Sequence, residues 1–258
     1  MPVRSVHDRT ELADLLARHP ALYAYQLGDL DDFFWPYTTW YRLADAVALV
    51  YHGGTVPTLL ALHPADGTDQ LADLLRELGP LLPAHFEAHL PPGAETALRA
   101  RFTGHDHGPH LKMALTDPAL LATARPAGDV LTRADLPELT KLYATAYPDN
   151  WFDPRMLDTG HYVGLRRDGE LVAVAGVHVW SPVYRVAALG NVTTHPTARG
   201  AGLATAAVAA LCHRLRASVD HVTLNVRADN AAARAVYARL GFTVVARYAE
   251  HTFTARRT

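Results

Sequence analysis

GNVTTHPTARGAGLATA, residues 190–206, passes from β-branched residues into a Gly-spaced, Ala-rich run with one arginine at the joint. That pattern reads as a strand ending at Thr194 and a helix beginning near Arg199. Residues 200–205 would then aim unpaired backbone N–H groups at one point, and the positive end of the helix dipole adds to them. Together they form an anion site. Gly200 and Gly202 remove Cβ atoms that would hold a phosphate away, and Ala204 keeps the first turn slim. Arg199 supplies a charge-assisted fork to phosphate oxygens. Behind the loop, Leu203, Ala207, Leu211 and Leu215 recur at i, i+4 and seat the helix on a sheet. No Asp or Glu occurs from Leu171 to Val219, whereas Arg185, Arg199, Arg214 and Arg216 fall inside that span. The balance suits a polyanion such as a pyrophosphate.

The same glycines also fit a plain tight turn, or a dinucleotide-binding turn with Asp220 about 20 residues on. Against the dinucleotide reading, Thr205 stands where a third glycine belongs and HPTAR separates the strand from the glycines.

The 258 residues suffice for one large domain or two modest ones, each with a core. A net charge of -2 gives no electrostatic reason to expect nucleic acid or an anionic membrane as partner. The single cysteine, Cys212, excludes an intramolecular disulfide and points to a reducing compartment. The N-terminus MPVRSVHDRTELADLL is charged throughout, unlike a signal peptide, and no apolar run suggests a membrane span. The expectation is a soluble, cytoplasmic protein.

Residues 116–129, TDPALLATARPAGD, read as a linker, and the halves on either side echo each other. VRSVHDRTELADLLARHP and VLTRADLPELTKLYATAYP each place a hydroxyl residue three before an Asp, Ser5 with Asp8 and Thr132 with Asp135, like a shortened capping box. Hairpins are expected at Gly53-Gly54 and at Asp168-Gly169. Each half then gives helix, strand, helix, strand. In the first these are GTDQLADLLREL, AHFEAHLP, GAETALRARF and PHLKMAL; in the second, AGLATAAVAALCHRL, HVTLNV, NAAARAVYARLGF and TVVARYAEHTF. The chain therefore reads as α/β (α+β) with two related lobes.

NVTTHPTARGAGLATA followed by LNVRADNAAARAVYARLGF resembles the GNAT superfamily of acetyl-CoA-dependent N-acetyltransferases. The R-x-x-G-x-[GA] signature is matched by Arg199, Gly202 and Ala204; N-x-x-A-x-x-x-Y-x-x-x-G-F is matched by Asn230, Ala233, Tyr237, Gly241 and Phe242. Both occur in the family's order and spacing. The resemblance implies two tandem GNAT-like lobes, each a mixed central sheet flanked by helices. A degenerate lobe would span 1–120, without arginine or paired glycines after His63-Pro64, and an acetyltransferase domain 121–258. It also implies a strand from Ala188 to Thr194 that splays from its neighbour to admit the pantetheine arm, with Val192, Thr193 and Thr194 nearest the acetyl end. The backbone of Arg199, Gly200, Ala201, Gly202, Leu203, Ala204 and Thr205 would hold the pyrophosphate. Asn230 and Ala233 would lie beside the arm and Tyr237 beside the thioester sulfur.

The implied reaction is attack of an amine on the thioester, with CoA leaving as a thiolate. It needs a base, an oxyanion donor and an acid. Strand N–H groups near Val192 would polarise the carbonyl, and Tyr237 is the expected acid. No carboxylate lies on the central strands, so His178 is the candidate base, with Asp149, Asp153 or a carboxylate of the other lobe acting through water as alternatives. The acceptor, a small-molecule or peptide amine, calls for carboxylates and aromatic faces. YPDNWFDP (147–154), with Asp149, Trp151 and Asp153, offers both, and LGDLDDFFWPYTTWY (27–41) is a second stretch of that kind. The histidines His105, His107 and His110 lack ligand partners at recognised spacing, and no metal is expected. Cys212 reads as lying away from the Leu203 stripe, with no base beside it. A non-catalytic acyl-CoA-binding or sensor module is the rival reading, and the chain is expected as monomer or homodimer.

Overall fold

The computed structural model describes residues 2–64, 67–148 and 150–256, so Asp149 lies outside the described residues. In chain order the elements are β1 (Arg4–Ser5), α1 (Arg9–Leu16), α2 (Ala24–Gly28), β2 (Thr38–Leu43), β3 (Ala46–Tyr51), β4 (Thr58–Leu60), α3 (Thr68–Leu78), β5 (His85–Leu90) and β6 (Phe102–Leu115). Then follow α4 (Pro118–Thr123), β7 (Asp129–Val130), α5 (Leu136–Ala146), β8 (Val163–Arg167), β9 (Glu170–Ser181), β10 (Val186–Thr194), α6 (Leu203–Leu215), β11 (His221–Arg227), α7 (Ala231–Arg239) and β12 (Phe242–Ala255).

The chain forms two compact units. The first holds residues 1–112, 227–229 and 244–258; the second holds 113–226 and 230–243. The first unit therefore takes the C-terminal part of β12 as one of its own strands.

In the first unit the strands run β1-β2-β3-β4-β5-β12-β6, with β4 parallel to β5 and the other registered pairs antiparallel. Leu71, Leu74, Leu75 and Leu78 line one side of α3 at helical spacing and bury against Phe86, Ala88, Leu90 and Phe253. The expected second helix, GAETALRARF, is only a 3-10 turn at Ala94–Leu98, because two buried positions give too short a stripe to sustain a helix. The Asp8 carboxylate itself caps α1, accepting from the N–H groups of Thr10 and Glu11; Ser5 lies in β1 and takes no part in a capping box. Thr132 and Asp135 do form one, at a 3-10 turn ahead of α5.

In the second unit the order is β11-β10-β9-β8-β7, with β10 and β11 parallel and the rest antiparallel. The β8–β9 hairpin turns on Asp168 and Gly169, both at positive φ, the geometry of a tight primed turn. The expected linker is not structureless: Asp117 caps the short helix α4. Helix α6 buries Ala207, Leu211 and Leu215 as expected, and Val208 and Cys212 on the next row. Cys212 is thus buried in the helix's packed side, not turned away from it, and burial pushes its thiol up to about 12. Among the described residues no helix is long and apolar enough to cross a membrane.

Candidate active site

The strands β10 and β11 pair from Val186↔His221 to Leu189↔Leu224 and then part, although β10 continues to Thr194 and β11 to Arg227. The cause is local. The register of β10 against β9 shifts between Ala188 and Leu189 and again between Gly190 and Thr193, and Asn191 sits there at φ 55. Such a bulge bends its strand away from the regular ladder. Asn191 is 3% exposed and tethered twice. Its carbonyl accepts from the Tyr143 hydroxyl at 3.0 Å, and its Nδ2 donates to the Tyr162 oxygen at 3.0 Å. Tyr162 in turn donates to the Val177 carbonyl at 3.1 Å. The Tyr162 ring fills the space beside Gly176 where a Cβ would stand.

Three buried polar atoms around this parting make no hydrogen bond to a described residue: Asn191 Oδ1, Thr194 Oγ1 and Asn225 Oδ1. A buried polar atom without a partner costs about 1–3 kcal/mol, so three along one split are informative. They fit ligands that bring N–H donors of their own.

At the end of β10 the chain makes a 3-10 turn, Pro196–Ala198, before α6 begins at Leu203, four residues later than the sequence suggested. Gly200 and Gly202 lie at φ 78 and 75, with nothing within 4 Å of where a Cβ would project. The glycines are therefore demanded by backbone conformation, and the space above them is open. Helix α6 has no side-chain cap, unlike α1, α4 and α7, so its first N–H groups face that opening. The Arg199 side chain folds back, its Nε donating to the Thr194 carbonyl at 3.3 Å. Asp220 is engaged elsewhere, paired with Arg185 at 2.6 Å, and has no free carboxylate for a ribose.

The corresponding place in the first unit is closed. There β4 and β5 stay paired through Leu60↔His89, and the Ala61 N–H still reaches the His89 carbonyl at 3.2 Å. The His63 ring occupies the position of a Cβ on Gly67, at the start of α3. A side chain stands where the second unit leaves an open cradle.

The second signature resolves into parts with separate causes. Asn230 caps α7, its Oδ1 accepting from the Ala233 N–H at 3.0 Å, so these two motif residues serve each other. The Gly241 carbonyl accepts from the N–H groups of Thr116 and Asp117. At Gly241, φ is 90 and a Cβ would lie 2.0 Å from the Asp117 carbonyl oxygen. Phe242 packs edge-on against Tyr237, with ring centroids 5.9 Å apart. The Tyr237 hydroxyl, by contrast, makes no hydrogen bond to another described residue. Burial pushes its phenol well above the ordinary tyrosine range, and Tyr147 adds to the effect.

His178 is half-buried; its ring covers Gly190 and lies 5.6 Å, centroid to centroid, from Trp151. The structure thus brings two of the expected residues together, beside the bulge. Asp153 is differently employed. It accepts from the Arg155 N–H at 2.9 Å, starts the turn Pro154–Thr159, and pairs with the Arg155 guanidinium at 2.5 Å. In the first unit, Asp29 of the 27–41 stretch is buried, and desolvation raises its carboxyl to about 8.

Sequence reasoning missed Asn191, Asn225 and the Tyr143–Tyr162 pair. One signal was available: Gly190-Asn191 is a turn-type dipeptide set among β-branched residues, which marks a bulge.

The model of the acetyltransferase (GNAT) family matches residues 129–242. Mycothiol acetyltransferase of Beutenbergia cavernae is 32% identical over 225 residues, covering 82% of this chain and 70% of that protein. Of the solved structures that match nearly the whole chain, two illustrate the likeness. One, a Drosophila protein, has a TM-score of 0.70 at 16% identity and covers 98% of both chains. The other is a tandem GNAT protein from the clavulanic acid biosynthesis pathway, at TM-score 0.57 and 18% identity, covering 97% of this chain and 98% of that one. At those identities the structures speak for the fold alone.

Proposed function

The chain belongs to the acetyltransferase (GNAT) family, and on that premise we propose that its second unit binds acetyl-CoA and moves the acetyl group to the amine of a small molecule. The observation that carries this reading is the parting of β10 from β11, edged by three unpartnered buried polar atoms and ending at the open glycine loop. The loop from Arg199 to Thr205 and the uncapped start of α6 would take the pyrophosphate, and the split would take the pantetheine arm. Val192, Thr193 and Thr194 would line its β10 side, and Asn230 and Ala233 would border it from α7.

When bound, acetyl-CoA supplies an acyl group activated as a thioester. The residues then act separately. The Tyr237 hydroxyl, protonated because it is buried, donates to the sulfur as the C–S bond breaks. A β10 N–H near Val192 polarises the carbonyl. His178 accepts the proton that the amine loses, and Trp151 offers an aromatic face to the amine before it does. Asp153, paired with Arg155, belongs to the frame of this wall and not to its reacting groups. The first unit, with its cradle filled by His63, contributes no acetyl-CoA site.

The test is transfer from acetyl-CoA across a panel of primary amines, beginning with the acceptor of the mycothiol acetyltransferases. The expected result is CoA release at least tenfold above amine-free hydrolysis for one or more amines. Release that no amine accelerates, in protein that binds CoA, would favour the sensor reading.

A further inference from the structure

The hydrogen bonds around Asn191 determine which way its amide faces. Tyr162 spends its only proton on the Val177 carbonyl, so its oxygen must accept from Asn191, and the group it faces must be the NH2. The amide is therefore fixed, with Oδ1 a buried acceptor that no described residue satisfies. The backbone at φ 55 adds strain that only a surrounding network maintains. An arrangement that is strained, buried and one acceptor over-supplied calls for a donor from outside the protein.

Its place along the split says which donor. The phosphate loop lies beyond Thr194, and the strands close at Leu189 and Leu224. Gly190 is roughly 13 Å up the strand from Thr194 at about 3.3 Å per residue. A ligand held by its phosphates at the loop therefore has its other end beside Asn191 and Val192, which puts Thr194 at the phosphate end of the split and not, as expected from the sequence, nearest the acetyl group. Gly190, its chain neighbour, lies under the His178 ring.

We infer that Asn191 is an amine-positioning residue: its Oδ1 accepts an N–H of the incoming amine at the closed end of the split, aiming the nitrogen lone pair at the acyl carbon. The inference rests on the acetyl-CoA reading of that split. An amide oxygen is no base, so the proton lost on acylation goes to another group. Asn191 holds the amine in line while that proton leaves toward His178. With no carboxylate from Leu171 to Val219, a neutral acceptor on β10 is consistent with an amine that reacts as its free base.

Three variants test this, assayed with acetyl-CoA and whichever amine the panel identifies. Asn191→Gly keeps the positive φ without strain and removes the side chain. It is expected to raise KM for the amine or lower kcat/KM about ten- to hundredfold, while calorimetric affinity for CoA alone stays within twofold. Asn191→Asp keeps an acceptor and tolerates the backbone, and is expected to recover most of kcat/KM. Tyr162→Phe releases the amide to turn and is expected to give an intermediate loss. If Asn191→Gly instead weakens CoA binding tenfold and leaves the amine parameters alone, the donor is an amide of CoA and the inference falls. It falls equally if all three variants match wild type. Wild-type protein that binds no CoA would contradict the acetyl-CoA reading itself, a different failure.

Discussion

Tyr237→Phe is expected to lower kcat by about 10²–10⁴ while affinity for acetyl-CoA stays within twofold. The size follows from removing a proton donor from the leaving sulfur; the selectivity follows from packing. The Tyr237 ring is buried against Phe242, and its hydroxyl bonds no described residue, so phenylalanine fills the same space and breaks nothing. The melting temperature should accordingly move by no more than a few degrees. Burial raises the phenol above its ordinary value, so the proton is present below that pKa and lost only above it. Activity should therefore show no alkaline fall caused by Tyr237 below about pH 10. A phenylalanine variant that kept a third or more of wild-type turnover would remove Tyr237 from the chemistry. In a sensor module the substitution would change nothing measurable.

Gly241→Ala is expected to destabilise the protein by at least about 3 kcal/mol, because a side chain at φ 90 is strained and its Cβ would press on a backbone oxygen. For a chain of this length that is a fall of roughly 6–12 °C in melting temperature. Gly93→Ala supplies the comparison: φ there is 89, but nothing lies within 4 Å of the added carbon. It should cost about 1–3 kcal/mol from the backbone alone. Equal losses at the two sites would mean that the Asp117 contact contributes nothing. The motif thus divides by cause: its Gly-Phe end and the tyrosine ring answer to folding, its Asn-x-x-Ala start to helix capping, and the tyrosine hydroxyl bonds no described residue.

Much of the second unit was legible from local pattern. The strand end at Thr194, the glycine loop, the α6 stripe and the Asn230 helix each depend on neighbours within a few residues, where periodicity and capping rules act. The bulge at Asn191 was only hinted at by Gly190-Asn191, because its form depends on the register of β9 against β10, set by residues many positions away. The same holds for the tethers from Tyr143 and Tyr162, which come from α5 and from the residue just before β8. Asp153 differs for a related reason: its composition suits an amine pocket, and its pairing with Arg155, two residues on, shows only in the structure. In the first unit the sequence lacks the paired glycines and the arginine after His63-Pro64. That a histidine ring fills the place could only be seen in three dimensions. The exchange of residues 244–258 into the first unit is also invisible to periodicity, since β12 reads as one uninterrupted strand whichever unit its residues join.

The most direct measurement is calorimetric titration of CoA and, separately, NADH into wild-type protein and into Gly202→Val. Valine at φ 75 with a branched side chain over the open cradle should abolish phosphate binding while leaving the rest of the site in place. Wild type is expected to bind CoA and not NADH, and Gly202→Val to lose at least tenfold in CoA affinity. Wild-type protein indifferent to CoA, or a valine variant that binds it equally well, would contradict the claim that the split strands and the glycine loop form a CoA site.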